Sequence, residues 1–283
     1  MIVFTHRGLE PSKKNSFPES SYEAFANHLQ RGFGIEFDPN FCKDGIVVSH
    51  DATLQRITEG KDTRPFSEIS MDELSKVCYG KEKQGKIPTF DELLQLLEKS
   101  KSSLHALHLK GKYQSRENID ILLTSLQNHQ KILSKILIFD LKPESADYMK
   151  TREPRLNIAP SVAHPHDIKR YNILVAKTLI TVKEAIKHKK IFDWVWLDEW
   201  DTVDTAGKEK YFYTKETFKK LKSAGYKIAL VTPELHGTSP GLYGGESHKD
   251  AKDLPTLLKR TKEILALQPD AICTDYPEEV SML

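Results

Sequence analysis

The chain has 283 residues, of which 39% are hydrophobic and 29% are charged, and its formal net charge is +2. This hydrophobic fraction is enough for one large core and excludes a disordered chain, while the nearly neutral charge provides no basic surface for nucleic acid. The three cysteines, Cys42, Cys78 and Cys273, lack CxxC spacing and predict neither a disulfide framework nor a structural zinc site.

No apolar run approaches the ~18 residues that a membrane span requires, and the first residues lack the pattern of a signal peptide. We therefore expect a cytoplasmic protein without stable membrane insertion, although a signal peptide that had already been removed would leave no trace. The sequence leaves the oligomeric state open.

The predicted elements alternate from the start of the chain. Residues 2–5 form an apolar run, which predicts a buried strand that delivers His6 and Arg7 at its end. Residues 18–31 have apolar side chains at helical spacing, with Ser20 or Ser21 as the N-cap. A second strand over 34–38 then completes the opening of a βαβ unit.

The second strand continues into a predicted hairpin. Its alternation places Glu36 and Asp38 on the same face. A Lys-Asp-Gly turn over 43–45 reverses the chain, and a β-branched return strand over 46–48 brings His50 back to the level of Asp38. Two neighbouring carboxylates repel each other unless a cation lies between them, so the stretch predicts a divalent metal site beside a histidine. The alternative is a hairpin with a polar outer face.

Residues 52–88 break the alternation with glycine and proline, and we interpret them as a small inserted excursion with one short helix over 70–77. The alternation then resumes. The later strands are predicted over 104–110, 135–140, 156–162, 192–198, 226–232 and 270–274. The later helices are predicted over 90–97, 117–128, 144–151, 181–189, 214–224 and 253–267.

Eight strands that can run parallel, each followed by a helix, predict an α/β fold of the TIM (β/α)8 barrel type. The excursion would follow the second strand and its hairpin, and residues 1–283 would form a single domain. An open doubly wound sheet is disfavoured because no GxGxxG turn follows the first strand.

TIM barrels carry their chemistry at the carboxyl ends of the strands, and polar side chains follow the predicted strand ends here. These residues are His6, Arg7, Glu36, Asp38, His108, Lys110, Asp140, His164, Asp198, Glu199, Glu234 and Asp275. We discount Asp140, His164 and His166, because a lone polar residue in a loop usually has no chemical role.

Six motifs stand together in an order and at a spacing that resembles the glycerophosphodiester phosphodiesterase family. They are His6-Arg7-Gly8, Pro18-Glu19-Ser20, Glu36-Phe37-Asp38, Lys43-Asp44-Gly45, His50-Asp51 and Leu54-Gln55-Arg56. The closing stretch over 273–277 is similar to the C-terminal signature of the family. The resemblance implies a TIM barrel that hydrolyses a glycerol phosphodiester to an alcohol and glycerol 3-phosphate with the help of one divalent metal ion.

The resemblance also implies roles for individual residues. Glu36 and Asp38 become metal ligands, His6 and His50 the general acid and base, and Arg7 a contact to the phosphate. General chemistry agrees, because a phosphodiester needs its charge neutralised and its leaving alkoxide needs a proton. Whether water or a neighbouring substrate hydroxyl attacks first, the latter giving a cyclic intermediate, is left open.

The strand over 104–110 departs from the family. Where the family usually has Glu-x-Lys, this chain has His108-Leu109-Lys110, so an imidazole stands at the third ligand position and Lys110 remains as a phosphate contact. A site of Glu36, Asp38 and His108 suits Mn²⁺ or Zn²⁺ better than Ca²⁺. If His108 only hydrogen-bonds a metal-bound water or the phosphate, Mg²⁺ becomes the expected ion, and a third possibility is a His108 paired with a neighbouring carboxylate and uninvolved with metal.

Two further acidic residues are expected in the polar shell around the metal, Glu19 and Asp51, although Glu19 could equally satisfy the N-terminus of the first helix. A Trp-rich motif of the family is replaced by the stretch over 231–237. The roles of Asp198, Glu199, Glu234 and His236, and the alcohol moiety of the substrate, are therefore left open.

Three alternatives to glycerophosphodiester hydrolysis are kept. The first is a phospholipase D-like enzyme or cyclising lyase acting on a lysophospholipid, which needs an apolar surface near the mouth of the barrel. The aromatic candidates for that surface are Phe66, Tyr79, Tyr211, Phe212 and Tyr213. The second is a catalytically silent barrel that binds a phosphate ester. A glycosidase ranks last, because its two carboxylates must face each other across a cleft.

Overall fold

The computed structural model describes residues 1–13, 17–79, 85–235 and 248–283, so His236 lies outside the described residues. The strands in these ranges are β1 (Ile2–His6), β2 (Gly34–Phe37), β3 (Pro39–Phe41), β4 (Ile46–Val48), β5 (His105–His108), β6 (Ile136–Phe139), β7 (Asn157–Ile158), β8 (Ser161–Ala163), β9 (Leu179–Ile180), β10 (Trp194–Asp198), β11 (Lys227–Val231) and β12 (Ala271–Thr274).

The helices in the same ranges surround these strands. They are α1 (Tyr22–Gln30), α2 (Met71–Leu74), α3 (Phe90–Lys99), α4 (Arg116–Gln127), α5 (Pro143–Arg152), α6 (Pro165–Tyr171), α7 (Val182–Lys187), α8 (Lys215–Ser223), α9 (Leu254–Leu265) and α10 (Pro277–Ser281). Ser21 is the N-cap of α1, and its side chain accepts a hydrogen bond from the backbone N–H of Ala24. No helix of the described ranges has the length and apolar character to cross a membrane.

Within the described part of the chain, ten strands form one parallel sheet in the order β7, β6, β5, β2, β1, β12, β11, β10, β8, β9. β7 pairs with β6 and β8 pairs with β10, so the continuous stretch over 157–163 connects the two ends of the sheet. The predicted α/β TIM barrel is confirmed.

The strand predicted over 156–162 is divided into β7 and β8. Pro160 lies between them, and proline has no backbone N–H with which to continue a ladder. Its carbonyl still accepts a hydrogen bond from the N–H of Trp196 at 3.0 Å, so the wall of the barrel stays connected. The short elements α6 and β9 were not predicted, because neither is long enough to show a clear period.

Two layers of apolar side chains stabilise the barrel. The larger layer lies between the sheet and the helices and includes Phe25, Leu93, Leu122 and Leu221, all fully or almost fully buried. The inner layer fills the barrel, where the rings of Phe139 and Trp196 stack with their centroids 3.7 Å apart. Because apolar side chains fill the interior, the polar side chains at the strand ends lie together above this inner layer.

The hairpin after β2 forms as the alternation predicts. β3 and β4 pair antiparallel, and the N–H of Ser49 donates to the carbonyl of Asp38 at 3.0 Å. His50 therefore returns to the level of Asp38. The described residues that follow pack around a small separate apolar cluster, which includes Leu54, Phe66 and Ile69.

Candidate active site

The carboxyl ends of the strands bring the predicted polar residues to one cavity of about 640 Å³. Nine of the polar side chains that line it are His6, Arg7, Glu36, His50, His108, Lys110, Asp140, Asp198 and Glu234. Asp38 follows β2 directly and is almost completely buried beneath them. Six separate strands and the hairpin thus contribute to one site.

Arg7 is held by its backbone at the end of β1. Its φ of 55° lies in the left-handed region, its N–H donates to the carbonyl of Glu36 at 3.1 Å, and its carbonyl accepts from Ser20 at 2.7 Å. Gly8 follows with a φ of 70°, and a Cβ atom there would lie 2.9 Å from the Cβ of Ala24. The close approach of α1 explains the glycine of the His-Arg-Gly motif.

The guanidinium of Arg7 faces two acidic side chains. It lies 3.7 Å from a carboxylate oxygen of Glu19 and 3.9 Å from Asp38 Oδ2. Its Nε makes no hydrogen bond to any described residue. The Arg7 side chain also lines the cavity, so its guanidinium borders the space in which an anionic ligand would bind.

Glu36 and Asp38 form a buried acidic pair. Burial, and then the nearby Asp38, raise the pKa of Glu36 to about 8. Burial alone would also raise the pKa of Asp38, but the charges of Lys110 and His108 outweigh it and hold that pKa well below its usual value. Glu36 Oε2 and Asp38 Oδ2 have no hydrogen-bond partner among the described residues. Two buried oxygens without donors are a place where a cation would be favourable.

His108 lies between two carboxylates. Its Nδ1 is 2.9 Å from Asp38 Oδ1 and its Nε2 is 3.3 Å from Asp140 Oδ2, while its ring stacks on Phe139. Burial lowers the pKa of His108, but the hydrogen bonds to Asp140 and Asp38 outweigh burial and raise it to about 10. One donor atom each from Glu36, Asp38 and His108 lie within 4.8 Å of one another, so these residues could hold a metal ion.

The hairpin loop is attached to the same cluster. The Nζ of Lys110 donates to the carbonyl of His50 and lies 3.1 Å from Asp38 Oδ1. His50 Nδ1 is 2.8 Å from Asp51 Oδ1. Burial lowers the pKa of His50, and the hydrogen bond to Asp51 opposes this effect without cancelling it.

Arg56 links the hairpin loop to the start of α1. It donates to Asp51 Oδ2 at 2.6 Å and also to Glu19. Glu19 is therefore paired with arginine, and the N-terminus of α1 is capped by Ser21 instead. The Leu-Gln-Arg motif acquires a structural explanation, because its arginine holds both acidic residues expected around the site.

A second acidic pair, Asp275 and Glu234, lies beside His6. The Nδ1 of His6 is 2.8 Å from Asp275 Oδ1, and burial lowers the pKa of His6 well below its usual value. Glu234 Oε1 accepts hydrogen bonds from the Thr232 and Thr274 hydroxyls and from the N–H of Asp275. Burial raises the pKa of Asp275 to about 8, and burial together with Asp275 raises the pKa of Glu234 to about 7.

Two residues of the site were missed by sequence reasoning. Asp140 was discounted, yet it lines the cavity and contacts His108, so that expectation was wrong. Its position directly after β6 was the available signal. Asn40 is completely buried and donates to the carbonyls of Ser49 and Asp51, which holds the loop that carries His50. No pattern in the sequence marked Asn40.

Other predicted residues lie elsewhere. Glu199 does not line the cavity but accepts from the N–H groups of Phe212 and Tyr213 and from Arg260. His164 caps α6 by accepting from the N–H of His166, as expected of an ordinary loop residue.

The aromatic residues predicted for the mouth of the barrel were a wrong choice. None of Phe66, Tyr79, Tyr211, Phe212 and Tyr213 lines the cavity. Phe66 is buried in the cluster beneath the excursion, and Phe212 and Tyr213 are buried in the main core. Aromatic side chains are as often core residues as surface residues, and the sequence offers no period in these loops to separate the two.

The comparisons with known proteins identify a family and a fold. A sequence model of the glycerophosphoryl diester phosphodiesterase family matches residues 6–279 of the chain. No curated protein matches the chain significantly. A candidate glycerophosphodiester phosphodiesterase of known structure from Galdieria sulphuraria is 20% identical with a TM-score of 0.69, and 99% of this chain and 96% of that chain are covered.

Two further structures are similar. A glycerophosphoryl diester phosphodiesterase from Parabacteroides distasonis is 20% identical with a TM-score of 0.64, covering 99% of this chain and 85% of that one. A phosphodiesterase from Oleispira antarctica, in complex with the product sn-glycerol-3-phosphate, is 18% identical with a TM-score of 0.65, covering 100% of this chain and 96% of that one. At these identities the likeness establishes the fold alone.

Proposed function

Because the chain belongs to the glycerophosphoryl diester phosphodiesterase family, we propose that it hydrolyses a glycerophosphodiester to an alcohol and glycerol 3-phosphate. The observation that carries this proposal is the convergence of His6, Arg7, Glu36, His50 and Lys110 on one cavity at the carboxyl ends of the strands. The structural similarity to an Oleispira antarctica phosphodiesterase in complex with sn-glycerol-3-phosphate supports the same product.

The two histidines are proposed as the general acid and base. Each has its Nδ1 on a carboxylate, Asp275 for His6 and Asp51 for His50, which leaves Nε2 of each ring for proton transfer. One ring accepts a proton from the attacking hydroxyl, and the other gives a proton to the leaving alkoxide. The attacking group is water for direct hydrolysis or a substrate hydroxyl for a cyclic intermediate.

Arg7 and Lys110 are proposed to bind the phosphate. Arg7 and Lys110 both line the cavity, and each brings a positive charge to it. A guanidinium can bind two phosphate oxygens at once, and the lysine acts as a point charge. Together they neutralise the charge that increases on the nonbridging oxygens as the nucleophile attacks.

A divalent metal ion fits the acidic pair. Glu36 Oε2 and Asp38 Oδ2, both buried and without hydrogen-bond donors, are the oxygens proposed to hold it. When bound, such an ion would neutralise phosphate charge as a Lewis acid. Oxygen donors suit Mg²⁺, Mn²⁺ and Ca²⁺, while Zn²⁺ would require the nitrogen of His108.

We propose that His108 lies next to the metal site without ligating the metal. Because Asp38 and Asp140 already face its two nitrogens, His108 is proposed as a positioning residue that holds Asp38 with Oδ2 towards the metal. Hydrogen bonds of this kind to a ligating carboxylate orient the ligand and tune its affinity for the metal.

Turnover of small diesters tests the function. Purified protein would be incubated with glycerophosphocholine or glycerophosphoethanolamine in Mg²⁺, Mn²⁺, Ca²⁺, Zn²⁺ or chelator, and the release of glycerol 3-phosphate measured. We expect turnover with at least one metal and its loss with chelator. Phosphorus NMR would identify a cyclic phosphate if the enzyme is a lyase. Absence of turnover with every diester and metal, in a folded protein, would contradict the proposal and leave the silent barrel.

A further inference from the structure

The outer surface of α7 and α8 is strongly basic. α7, with the turn that follows it, and α8 each carry three exposed lysines at positions i, i+4 and i+7, a spacing that places them on one side of a helix. We define the basic face as the residues Lys183, Lys187, Lys190, Lys215, Lys219 and Lys222. None of these lysines lines the catalytic cavity, so the basic face is separate from the candidate active site.

The two helices form one continuous surface on the outside of the barrel. They pack side by side, and the opposite sides of the helices bury Ala185 of α7 and Phe218 and Leu221 of α8. The Tyr226 hydroxyl, at the end of the turn after α8, donates to the carbonyl of Ala185 at 2.5 Å. The Nζ of Lys189 lies 4.7 Å from the centre of the Tyr226 ring. The lysines therefore belong to neighbouring parts of one surface.

Few acidic groups offset this positive charge. Residues 185–192 and 217–227 contain no aspartate or glutamate. Glu184 accepts a hydrogen bond from the N–H of Thr181 at 2.8 Å, and Glu216 pairs at 2.7 Å with Lys220, which lies outside the basic face. Among the described residues, none of the six lysines forms an ion pair. The formal net charge of +2 for the whole chain does not reveal this local excess.

Helix stability does not account for all of these lysines. Lys187 and Lys222 lie in the last turns of their helices, where a positive charge interacts favourably with the helix dipole. Lys183 and Lys215 lie in the first turns, where a positive charge is unfavourable. The basic face thus extends along both helices against the preference of the dipole, and an anionic partner would offset this effect.

We propose that the basic face binds reversibly to the surface of a membrane that contains anionic lipids. A lysine close to such a surface increases binding about fivefold without entering the bilayer. The attraction needs only that the positive charges lie within a Debye length of the headgroups, about 8 Å at physiological salt. This inference goes beyond the proposed hydrolysis and does not depend on it.

The composition of the surface favours lipid headgroups over a protein or a nucleic acid. Residues 182–227 are rich in lysine and contain no arginine. Arginine is enriched at protein interfaces and lysine is depleted, and arginine is also the residue that binds phosphates and bases through two hydrogen bonds at once. Single-stranded nucleic acids further need exposed aromatic rings for stacking, whereas Phe192, Trp194 and Tyr226 beside the basic face are buried.

Sedimentation of the intact chain with vesicles tests the proposal. The vesicles would consist of phosphatidylcholine with or without phosphatidylglycerol. We expect binding only to vesicles with phosphatidylglycerol, and loss of binding between about 0.1 M and about 1 M salt, because the Debye length falls from about 10 Å to about 3 Å. Equal binding to both kinds of vesicle, or no binding to either, would overturn the proposal.

Two variants with the same substitution sites test the role of charge. The combined variant Lys187→Gln, Lys190→Gln and Lys219→Gln should weaken binding about a hundredfold, since each lysine contributes about fivefold. The combined variant Lys187→Arg, Lys190→Arg and Lys219→Arg keeps the charge and should keep the binding. Circular dichroism would verify that both variants fold. Wild-type binding in the glutamine variant, or a loss of the same size in the arginine variant, would overturn the proposal.

A charge-matched control locates the contact. The combined variant Lys99→Gln, Lys101→Gln and Lys131→Gln changes the net charge by the same amount at three other exposed lysines. These lysines lie near α3 and α4, which flank β5, whereas α7 and α8 flank β10, and β5 and β10 are not neighbours in the sheet. We expect unchanged binding. A loss equal to that of the Lys187 triple variant would show that net charge matters and the basic face does not.

Chemical labelling maps the contact without any substitution. Lysines of the wild type would be acetylated with and without phosphatidylglycerol vesicles and the extent measured by mass spectrometry. We expect protection of Lys187, Lys190 and Lys219 and none of Lys99 and Lys101, and the reverse pattern would overturn the proposal. A duplex oligonucleotide that binds more tightly than the vesicles at the same salt concentration would assign the basic face to nucleic acid and also overturn it.

Discussion

Each candidate catalytic histidine is fixed by a carboxylate at Nδ1, which is what proton transfer through Nε2 requires. His6 contacts Asp275 and His50 contacts Asp51, both at 2.8 Å. The two carboxylates are far apart in the sequence, since Asp51 follows the hairpin near the start of the chain and Asp275 lies near its end. This arrangement determines both the orientation and the tautomer of each ring.

Removing either ring should therefore abolish most turnover. We expect His6→Ala and His50→Ala each to lower kcat by about 10² to 10⁴, the usual contribution of a general acid or base. Steady-state kinetics with glycerophosphocholine would measure the loss, and circular dichroism would verify the fold. His129→Ala is the matched control, because His129 contacts Glu98 and does not line the cavity. Near-normal kcat in either site variant would remove that histidine from the mechanism.

The pH dependence of the reaction follows from burial of the same rings. Burial lowers the pKa of His6 and of His50, so the ring that acts as the base loses its proton below its usual pKa, and the ring that acts as the acid keeps its proton only below its own usual pKa. We expect the acidic limb of kcat/KM to have its midpoint below pH 6.5. Asp51→Asn removes the hydrogen bond that raises the pKa of His50, and should move the limb that belongs to His50 to lower pH. A midpoint above pH 7 would contradict this assignment.

The role of His108 can be decided by metal binding without turnover. If His108 positions Asp38, His108→Gln should weaken Mg²⁺ and Mn²⁺ by the same factor, about 10 to 100, in calorimetric titrations. Asp140→Asn should weaken both ions as well, because it removes the second contact of the ring. A selective loss of Mn²⁺ in His108→Gln would instead show a lost nitrogen ligand and make His108 part of the coordination sphere.

At the scale of elements, the hairpin of β3 and β4 delivers His50, and a buried amide maintains its position. Asn40 donates to the carbonyls of Ser49 and Asp51 and accepts from the Tyr113 hydroxyl at 2.5 Å. These bonds join the two strands of the hairpin to the loop after β5. The geometry of the catalytic loop therefore depends on a residue that has no contact with substrate in the proposal.

Asn40→Ala should weaken both stability and catalysis. It removes the partner of the buried Ser49 carbonyl and of the partly buried Asp51 carbonyl and Tyr113 hydroxyl, and an unsatisfied buried group costs about 1 to 3 kcal/mol. We expect the free energy of unfolding in urea to fall by at least that amount and kcat to fall because His50 is less well placed. The control is Asn128→Ala, since Asn128 is exposed at the end of α4. Wild-type kcat in Asn40→Ala would show that the loop does not need this anchor.

At the scale of the whole molecule, several buried carboxyl groups with raised pKa values lie together at the mouth of the barrel. The pKa of Asp275 is about 8 and that of Glu234 about 7, raised in both cases first by burial. A carboxyl group whose pKa is higher in the folded protein than in the unfolded chain stabilises the fold fully at a pH below its pKa in the unfolded chain. This stabilisation is lost as the pH rises through its pKa in the folded protein. His108, with a pKa raised to about 10, has the same sign.

Thermal stability of the metal-free protein should consequently fall between pH 6.5 and 8.5. The buried histidines with lowered pKa, such as His6, lose their proton in the unfolded chain around pH 6.5, so their opposing contribution is confined to the lower end of this window. Asp275→Asn should reduce the slope, measured as Tm against pH, because the pKa of Asp275, about 8, lies within this window. Glu216→Gln should leave it unchanged, since Glu216 is exposed and its pKa is lowered by Lys220. A Tm that rises over this range would contradict the assignment.

The family and the enzyme class, a phosphoric diester hydrolase, were predicted from motifs and are confirmed by the match over residues 6–279. The barrel was predictable because most of its strands and helices show a local period. Glu36, Asp38 and His50 were found together for the same reason, since one hairpin joins them. Their proposed roles remain predictions.

Other contacts of the site depend on the tertiary structure, and no local pattern in the sequence predicts them. Asp140 faces His108 because parallel neighbours β5 and β6 end at the same level, and Asp275 reaches His6 because β1 pairs with β12 across nearly the whole length of the chain. Barrel closure likewise brings Asp198, at the end of β10, into the same cavity as His6 and Glu36. Periodicity specifies which side of a strand is buried, but only the pairing of distant strands determines which side chains meet.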